Sequence, residues 1–168
     1  MAMYETSDDL KALQELLDQS DKNAGSHLRA VITQDRRMTA EELCNRLTGM
    51  RLLALATVTS DNRPLVGPVD GVFYRGVFHF GSSPDSIRVK HIRQRPSISA
   101  THVPSEEMSV TVHGRASILE MSSVENSGLR KTILDIYTPK YGAEWEKFFD
   151  SNVYVRIDSL RMFALHMP

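Results

Sequence analysis

The ten residues from Ser109 to Ile118 constrain this chain more than any others. Val110, Val112, Gly114, Ala116 and Ile118 alternate with Ser109, Thr111, His113, Arg115 and Ser117. That period of two puts small or apolar residues on one face and polar ones on the other. A helix cannot hold such a pattern, so the segment is a half-buried strand that needs partners. Gly114 in its middle weakens a strand and marks either a β-bulge or the close approach of a ligand or another backbone, the bulge being the simpler reading.

Partner strands follow from the same texture. Leu52 to Val58 is continuously apolar, with small Ala54 and Ala56, which suits a strand covered on both faces, one of them by another subunit. Ser60-Asp61-Asn62 is a turn, Pro64 to Tyr74 is extended, and Arg75-Gly76 reverses the chain into Val77-Phe78-His79-Phe80. Pro96 precedes a strand from Ser97 to Val103. Near the end, Val153, Val155 and Ile157 alternate against Tyr154, Arg156 and Asp158, before a last apolar stretch from Leu160 to Leu165. About six strands emerge, and a mostly antiparallel sheet of that size closes into a barrel to remove its edges.

Helices flank these strands. Leu10, Leu13, Leu16 and Leu17 recur at helical spacing after Ser7-Asp8-Asp9, which predicts a helix to about Gln19 that Asn23-Ala24-Gly25 ends. Thr39 and Glu42 form a capping box for a shorter helix, with Leu43 and Leu47 on one face and Cys44 as a small buried group. Ser122 and Glu125 make a second capping box ahead of Leu129, Ile133, Ile136 and Tyr137, with Pro139 as the stop. A further turn carries Trp145, Phe148 and Phe149. The N-terminal helix and the Trp145 region read as packing rather than as cover for a pocket. The class is α+β: a six-stranded, mostly antiparallel barrel domain over 39–168, preceded by a helical extension over 1–38.

Composition removes several functions. At 168 residues and 41% hydrophobic, the chain suffices for one buried core. Twenty Lys and Arg stand against 21 Asp and Glu, which leaves no general attraction for nucleic acid. Cys44 is the only cysteine, so neither an intramolecular disulfide nor a multi-thiolate zinc site is available. With no signal-peptide core and no apolar run near ~20 residues, the expectation is a soluble cytoplasmic protein without membrane contact. There is no Gly-x-Ser-x-Gly elbow, His-Glu-x-x-His helix or P-loop. The six histidines are scattered; His102 and His113, on successive strands, are the one pair placed to approach each other, and no metal site is expected.

The segment from Phe80 to Pro96, FGSSPDSIRVKHIRQRP, reads as a phosphate cradle. Ser83 suits an N-cap and Pro84 a first helical position, with Ser86 in the first turn. Free amides at such a start attract anions, Ser82, Ser83 and Ser86 can donate hydrogen bonds, and Arg88 offers a planar fork. The plain alternative is a capped helix with a solvated basic face, and Asp85 opposes an anion. A second signal lies in Arg63 to Asp70. Pro64 and Pro68 remove ladder donors, giving either a kinked edge strand or a backbone free to lie along a planar heterocycle. His113 and Arg115 share a polar strand face, solvated or available to an anionic ring system.

The order LLALATV, RPLVGPVDGVFYRGVFHF, SSPDSIRVKHIRQRPSIS and SVTVHGRASI resembles the pyridoxamine 5'-phosphate oxidase-like flavin-binding split barrels. That family's middle block reads approximately Thr-x-x-x-Ser-x-Lys-x-x-Asn-Leu-x-x-x-Pro-x-Val. Ser82, Ser86, Arg88, His91, Ile92, Pro96 and Ile98 fall on those positions. The resemblance spans roughly Thr39 to Leu119. It implies a split barrel that binds FMN, with Val66, Gly67, Pro68, Val69 and Asp70 bordering the isoalloxazine ring and Ser82, Ser86 and Arg88 holding the phosphate, beside Ser83 from the helix-start reading. Arg88 stands where the pattern has lysine, keeping the charge and adding a bidentate fork. His91 replaces asparagine.

The resemblance also implies a homodimer with cofactor sites shared across the interface, and a flavin-dependent oxidoreductase acting on a small molecule. Redox chemistry would lie at the ring, with no catalytic side chain assigned. A true pyridoxamine phosphate oxidase would end in an arginine and tryptophan pattern and Leu-Ser/Ala-Pro, whereas this chain ends FALHMP. The alternatives are a deazaflavin-dependent reductase of the same superfamily and a non-catalytic flavin- or haem-binding module.

Overall fold

The structure, a computed structural model, describes residues 4–167. Six strands close into one antiparallel barrel in the order β1-β2-β3-β6-β5-β4. They are β1 (Met50–Val58), β2 (Pro64–Tyr74), β3 (Val77–Ser82), β4 (Ser97–Ser105), β5 (Met108–Leu119) and β6 (Val153–His166). The two apolar stretches near the end belong to a single long strand, β6. The Arg75-Gly76 hairpin turn has φ of 51° and 77°, the paired positive values of a type I′ turn whose twist matches the strands.

Gly114 is both bulge and close contact. The register of β5 against β6 shifts between His113 and Gly114, and a Cβ at Gly114 would overlap the Asp158 carbonyl oxygen. Only a residue without a side chain lets the two backbones meet there. β1 turns one face into the barrel, and its other face is the one expected to meet another subunit. Leu53 and Leu55 are buried in the barrel, but Leu52 is 61% exposed and Ala54 is also exposed, so the outer face of this strand lies open in the single chain.

Helix α1 (Ser7–Lys22) starts at a Thr6/Asp9 capping box, runs three residues past the predicted end, and buries Leu13 and Leu17 over the barrel core. Two short elements without a periodic signature follow, α2 (Ser26–Val31) and a 3₁₀ turn over Gln34–Arg36. Helix α3 (Ala40–Arg46) begins at the predicted Thr39/Glu42 box, and Cys44 is buried beneath it. The basic segment contributes α4 (Ile87–Gln94).

Beyond β5 the expectations need correction. Ser122 and Glu125 form no capping box: the Ser122 hydroxyl donates to Glu120 at 2.6 Å, and α5 (Ser127–Tyr141) starts from Asn126. Pro139 lies inside α5 rather than ending it, because in the last turn a proline removes only one intrahelical bond. The helix ends instead at Gly142, whose N–H donates to the Thr138 carbonyl. Trp145 to Asp150 form α6.

The described residues form two apolar clusters. One fills the barrel around Leu53, Phe73, Phe78, Phe80, Val112 and Ile157. The other lies outside it, where Val72 and Tyr154 on the outer face of the sheet meet Leu129, Ile133, Tyr137 and Phe149 from α5 and α6. No helix among the described residues is long and apolar enough to cross a membrane.

Candidate functional site

β2 positions the site because its two halves have different neighbours. All of Pro64 to Val72 pairs with β1, but only Gly71 to Tyr74 pairs with β3. The half from Pro64 to Asp70 thus keeps one edge free of a strand partner. Prolines cannot donate to a ladder, and Pro64 and Pro68 share parity, so both turn their missing N–H toward the open edge. The Pro68 carbonyl points the same way and accepts a 2.9 Å hydrogen bond from Arg88 Nη2. A Cβ at Gly67 would come within 3.3 Å of that same nitrogen, so the glycine lets the guanidinium lie close against the strand.

The cradle is built differently from its sequence reading. Ser83 to Ser86 form a turn with Pro84 at its second position, closed by Ser86 N–H donating to the Ser83 carbonyl at 3.0 Å. The N-cap of α4 is Ser86, whose Oγ accepts from Val89 N–H at 3.3 Å. The correction has a local cause: proline fits the second position of such a turn as well as it fits a first helical position, and here the turn comes first. Ser86 Oγ also lies 2.9 Å from Ser82 Oγ, so those hydroxyls support each other. The amides of Ile87 and Arg88, the first two of the helix, have no intrahelical acceptor. Arg88 sits in this first turn, where partial burial draws its pKa downward from the guanidinium range without removing its charge.

A cavity of about 590 Å³ opens beside the cradle, on the outer face of the barrel. Its floor comes from β2, β3 and β6, including Asp70, His79 and Tyr154; its roof comes from α5 and α6, including Tyr137, Trp145 and Phe148. Arg88, Ser82 and Ser83 stand at its rim. His79 is buried, and its Nδ1 lies 3.0 Å from the Val77 carbonyl, which makes Nδ1 the protonated nitrogen of the neutral ring and leaves Nε2 as an acceptor. Burial pushes its pKa down to about 4. Desolvation likewise raises the Tyr137 and Tyr154 phenols, and the Asp70 carboxylate adds to the effect at Tyr137.

The sequence-predicted residues divide into three places. Asp70, Ser82, Ser83 and Arg88 line the cavity. Val66, Gly67 and Pro68 line a second, shallower groove of about 380 Å³ on the outer surface of β1, β2 and β4, and Arg88 bridges the two by its contact with Pro68. Val69 is buried in the barrel core and His91 is buried beneath α4, where its Nδ1 lies 2.9 Å from Thr57 Oγ1. Neither side chain lines the cavity. His102 and His113 do not meet: His102 turns inward to the Leu52 carbonyl, and His113 turns outward to Ser99, as the strand alternation requires. His79, Tyr137 and Tyr154 were not singled out by sequence as site residues. The one available signal was alternation, which puts His79 opposite Phe78 and Phe80.

No family model matches this sequence, and no curated protein matches it significantly. Its likeness is to solved structures. A conserved hypothetical protein from Mycobacterium tuberculosis is 21% identical at a TM-score of 0.64, over 80% of this chain and 88% of that one. HutZ, the heme storage protein of Vibrio cholerae, is 18% identical at 0.59, over 77% and 95%. An FAD-binding protein from Mesorhizobium loti is 21% identical at 0.57, over 78% and 96%. A putative pyridoxamine 5'-phosphate oxidase from Listeria innocua and an F420 reductase share the fold at 15% and 17% identity. The fold is thus the split barrel shared by these proteins, among them a putative pyridoxamine 5'-phosphate oxidase, an FAD-binding protein, a heme storage protein and an F420 reductase. At these identities the likeness carries the fold.

Proposed function

We propose that this chain is an FMN-binding flavoprotein acting as a homodimeric oxidoreductase on a small molecule. The observation that carries this reading is a single juxtaposition. Arg88, Ser82 and Ser83 stand at the rim of a largely aromatic cavity, beside a β2 edge that has no strand partner. A phosphate suits the first group and a planar ring the second. Ser86 acts through Ser82 and as the helix cap, and the free amides of Ile87 and Arg88 add donors for an anion.

Bound FMN would supply the electron transfer; this chain's residues bind, orient and exclude water. Arg88 would hold the phosphate, while its contact to the Pro68 carbonyl fixes the guanidinium. The backbone from Val66 to Asp70 offers amides and carbonyls to the ring edge. Leu52, Val66 and Val103, all at least 59% exposed around the shallower groove, are the surface on which a second copy of the chain would close the site.

A haem-binding module is the second reading, favoured by the unpartnered Nε2 of neutral His79 at the cavity. One absorption spectrum of the purified protein, before and after addition of FMN, separates these readings. A flavin band that persists through gel filtration is expected. A Soret band without flavin uptake would overturn the proposal in favour of haem, and retention of only an oxidised deazaflavin chromophore would move it to that coenzyme.

A further inference from the structure

Gly67 has no conformational reason to be a glycine. It stands inside β2 with a φ that any residue adopts, and a glycine in a strand interior weakens the strand. Gly71 and Gly114 are explained by backbone neighbours, since a Cβ there would press on the carbonyls of His79 and Asp158. Gly67 is different. Apart from its chain neighbours, a Cβ at this position would meet a single described atom within 4 Å, the Nη2 of Arg88 at 3.3 Å. That atom is the end of a long side chain, which can give way where backbone cannot.

The same Nη2 donates to the Pro68 carbonyl at 2.9 Å, and among the described residues it is the one nitrogen of Arg88 that forms a hydrogen bond. Nε and Nη1 are left for an anion. No described carboxylate forms an ion pair with this guanidinium. The root of the side chain is fixed as well, because Val89 and Ile92 are buried and His91 is bonded to Thr57. A planar fork held at one corner presents its remaining donors in a set direction, which lowers the ordering cost of taking a phosphate.

We infer that Gly67 is a positioning residue of the phosphate site, matched to an arginine at position 88. Its missing side chain lets the guanidinium lie against β2 and hold its free donors toward the ligand. The inference rests on the flavin reading for the identity of the anion and not for the pairing. A lysine at position 88, one bond shorter and ending in a compact ammonium, needs no such gap. Glycine at 67 therefore matters only while arginine stands at 88.

The wild type, Gly67→Ala, Arg88→Lys and the double variant, each titrated with FMN and with riboflavin in phosphate-free buffer, test the pairing. Gly67→Ala should cut the preference for FMN over riboflavin about fivefold beside Arg88 and less than about twofold beside lysine, with riboflavin affinity within about twofold throughout. Urea melts of the same proteins without ligand give an independent reading. Replacing a strand glycine by alanine ordinarily stabilises, so Gly67→Ala should raise the folded-to-unfolded ratio about two- to fivefold in the lysine background and by less in the wild type, where the guanidinium has to move. An equal effect of Gly67→Ala in both backgrounds, in titrations or in melts, or a loss for riboflavin matching that for FMN, would overturn the inference. If the protein takes up no FMN, the flavin reading fails by itself, and the melts still decide the pairing.

Discussion

His79 shows how much one buried side chain can do to both stability and binding. Its pKa, about 4 in the folded chain, lies below the ordinary value of 6.5, so between those values the unfolded chain binds the extra proton and the folded chain does not. Stability contributed at neutral pH is therefore lost as pH falls through 6.5 toward 4, by about 2 kcal/mol at pH 5. Urea melts at pH 7 and pH 5 should show this loss, and His79→Gln should flatten it; an unchanged slope in the variant would remove His79 as the cause. Gly114 is the other residue with a sharp expectation. Because a Cβ there would overlap the Asp158 carbonyl, Gly114→Ala should cost roughly 2 to 4 kcal/mol in a denaturant melt, against well under 1 for an ordinary exposed strand position.

At the scale of elements, α4 connects the barrel to the cradle. Its buried face is pinned through the bond between His91 and Thr57, so His91 serves the helix rather than the cavity. Thr57→Val should then destabilise the protein by about 1 to 3 kcal/mol and leave FMN affinity within twofold, as chemical melts and flavin titration would show. The elements differ in how far they were legible. The period of two in β5 and the Thr39/Glu42 box were readable because one local rule decides each. The start of α4 was misplaced by three residues because Ser-Pro-Asp-Ser satisfies turn and helix-cap chemistry equally well. The Ser122/Glu125 box failed where Glu120 captured the serine first. Ser82, Ser83 and Arg88 were singled out by local chemistry and Asp70 by the resemblance alone, and the fold brings all four to one cavity. The aromatic roof was not legible, since whether Trp145 packs or lines a cavity depends on where α5 and α6 land on the sheet, and it does both.

For the whole molecule, the outer face of β1 and β2 sets the expectation. Leu52 and Val66 are 61% and 64% exposed and flank a groove that a single chain leaves uncovered, a placement suited to a symmetric contact between two copies. Leu52→Glu would set two carboxylates into that contact. The wild-type protein should run as a dimer in light scattering at micromolar concentration. The variant should run as a folded monomer with FMN affinity reduced about tenfold or more, because each site would lack its partner's surface. A monomeric wild type that still binds FMN tightly would show that the site is complete in one chain.

The central claim, that Arg88 and its neighbouring hydroxyls hold a flavin's phosphate, is tested most directly by comparing FMN with riboflavin, which differ at that group alone. Titrated into the wild-type protein, FMN should bind about 10- to 150-fold more tightly, the worth of a charged phosphate contact of about 1.5 to 3 kcal/mol. In Arg88→Ala that preference should collapse toward unity while riboflavin binding stays the same. An Arg88→Ala protein that keeps the full preference for FMN would contradict the account.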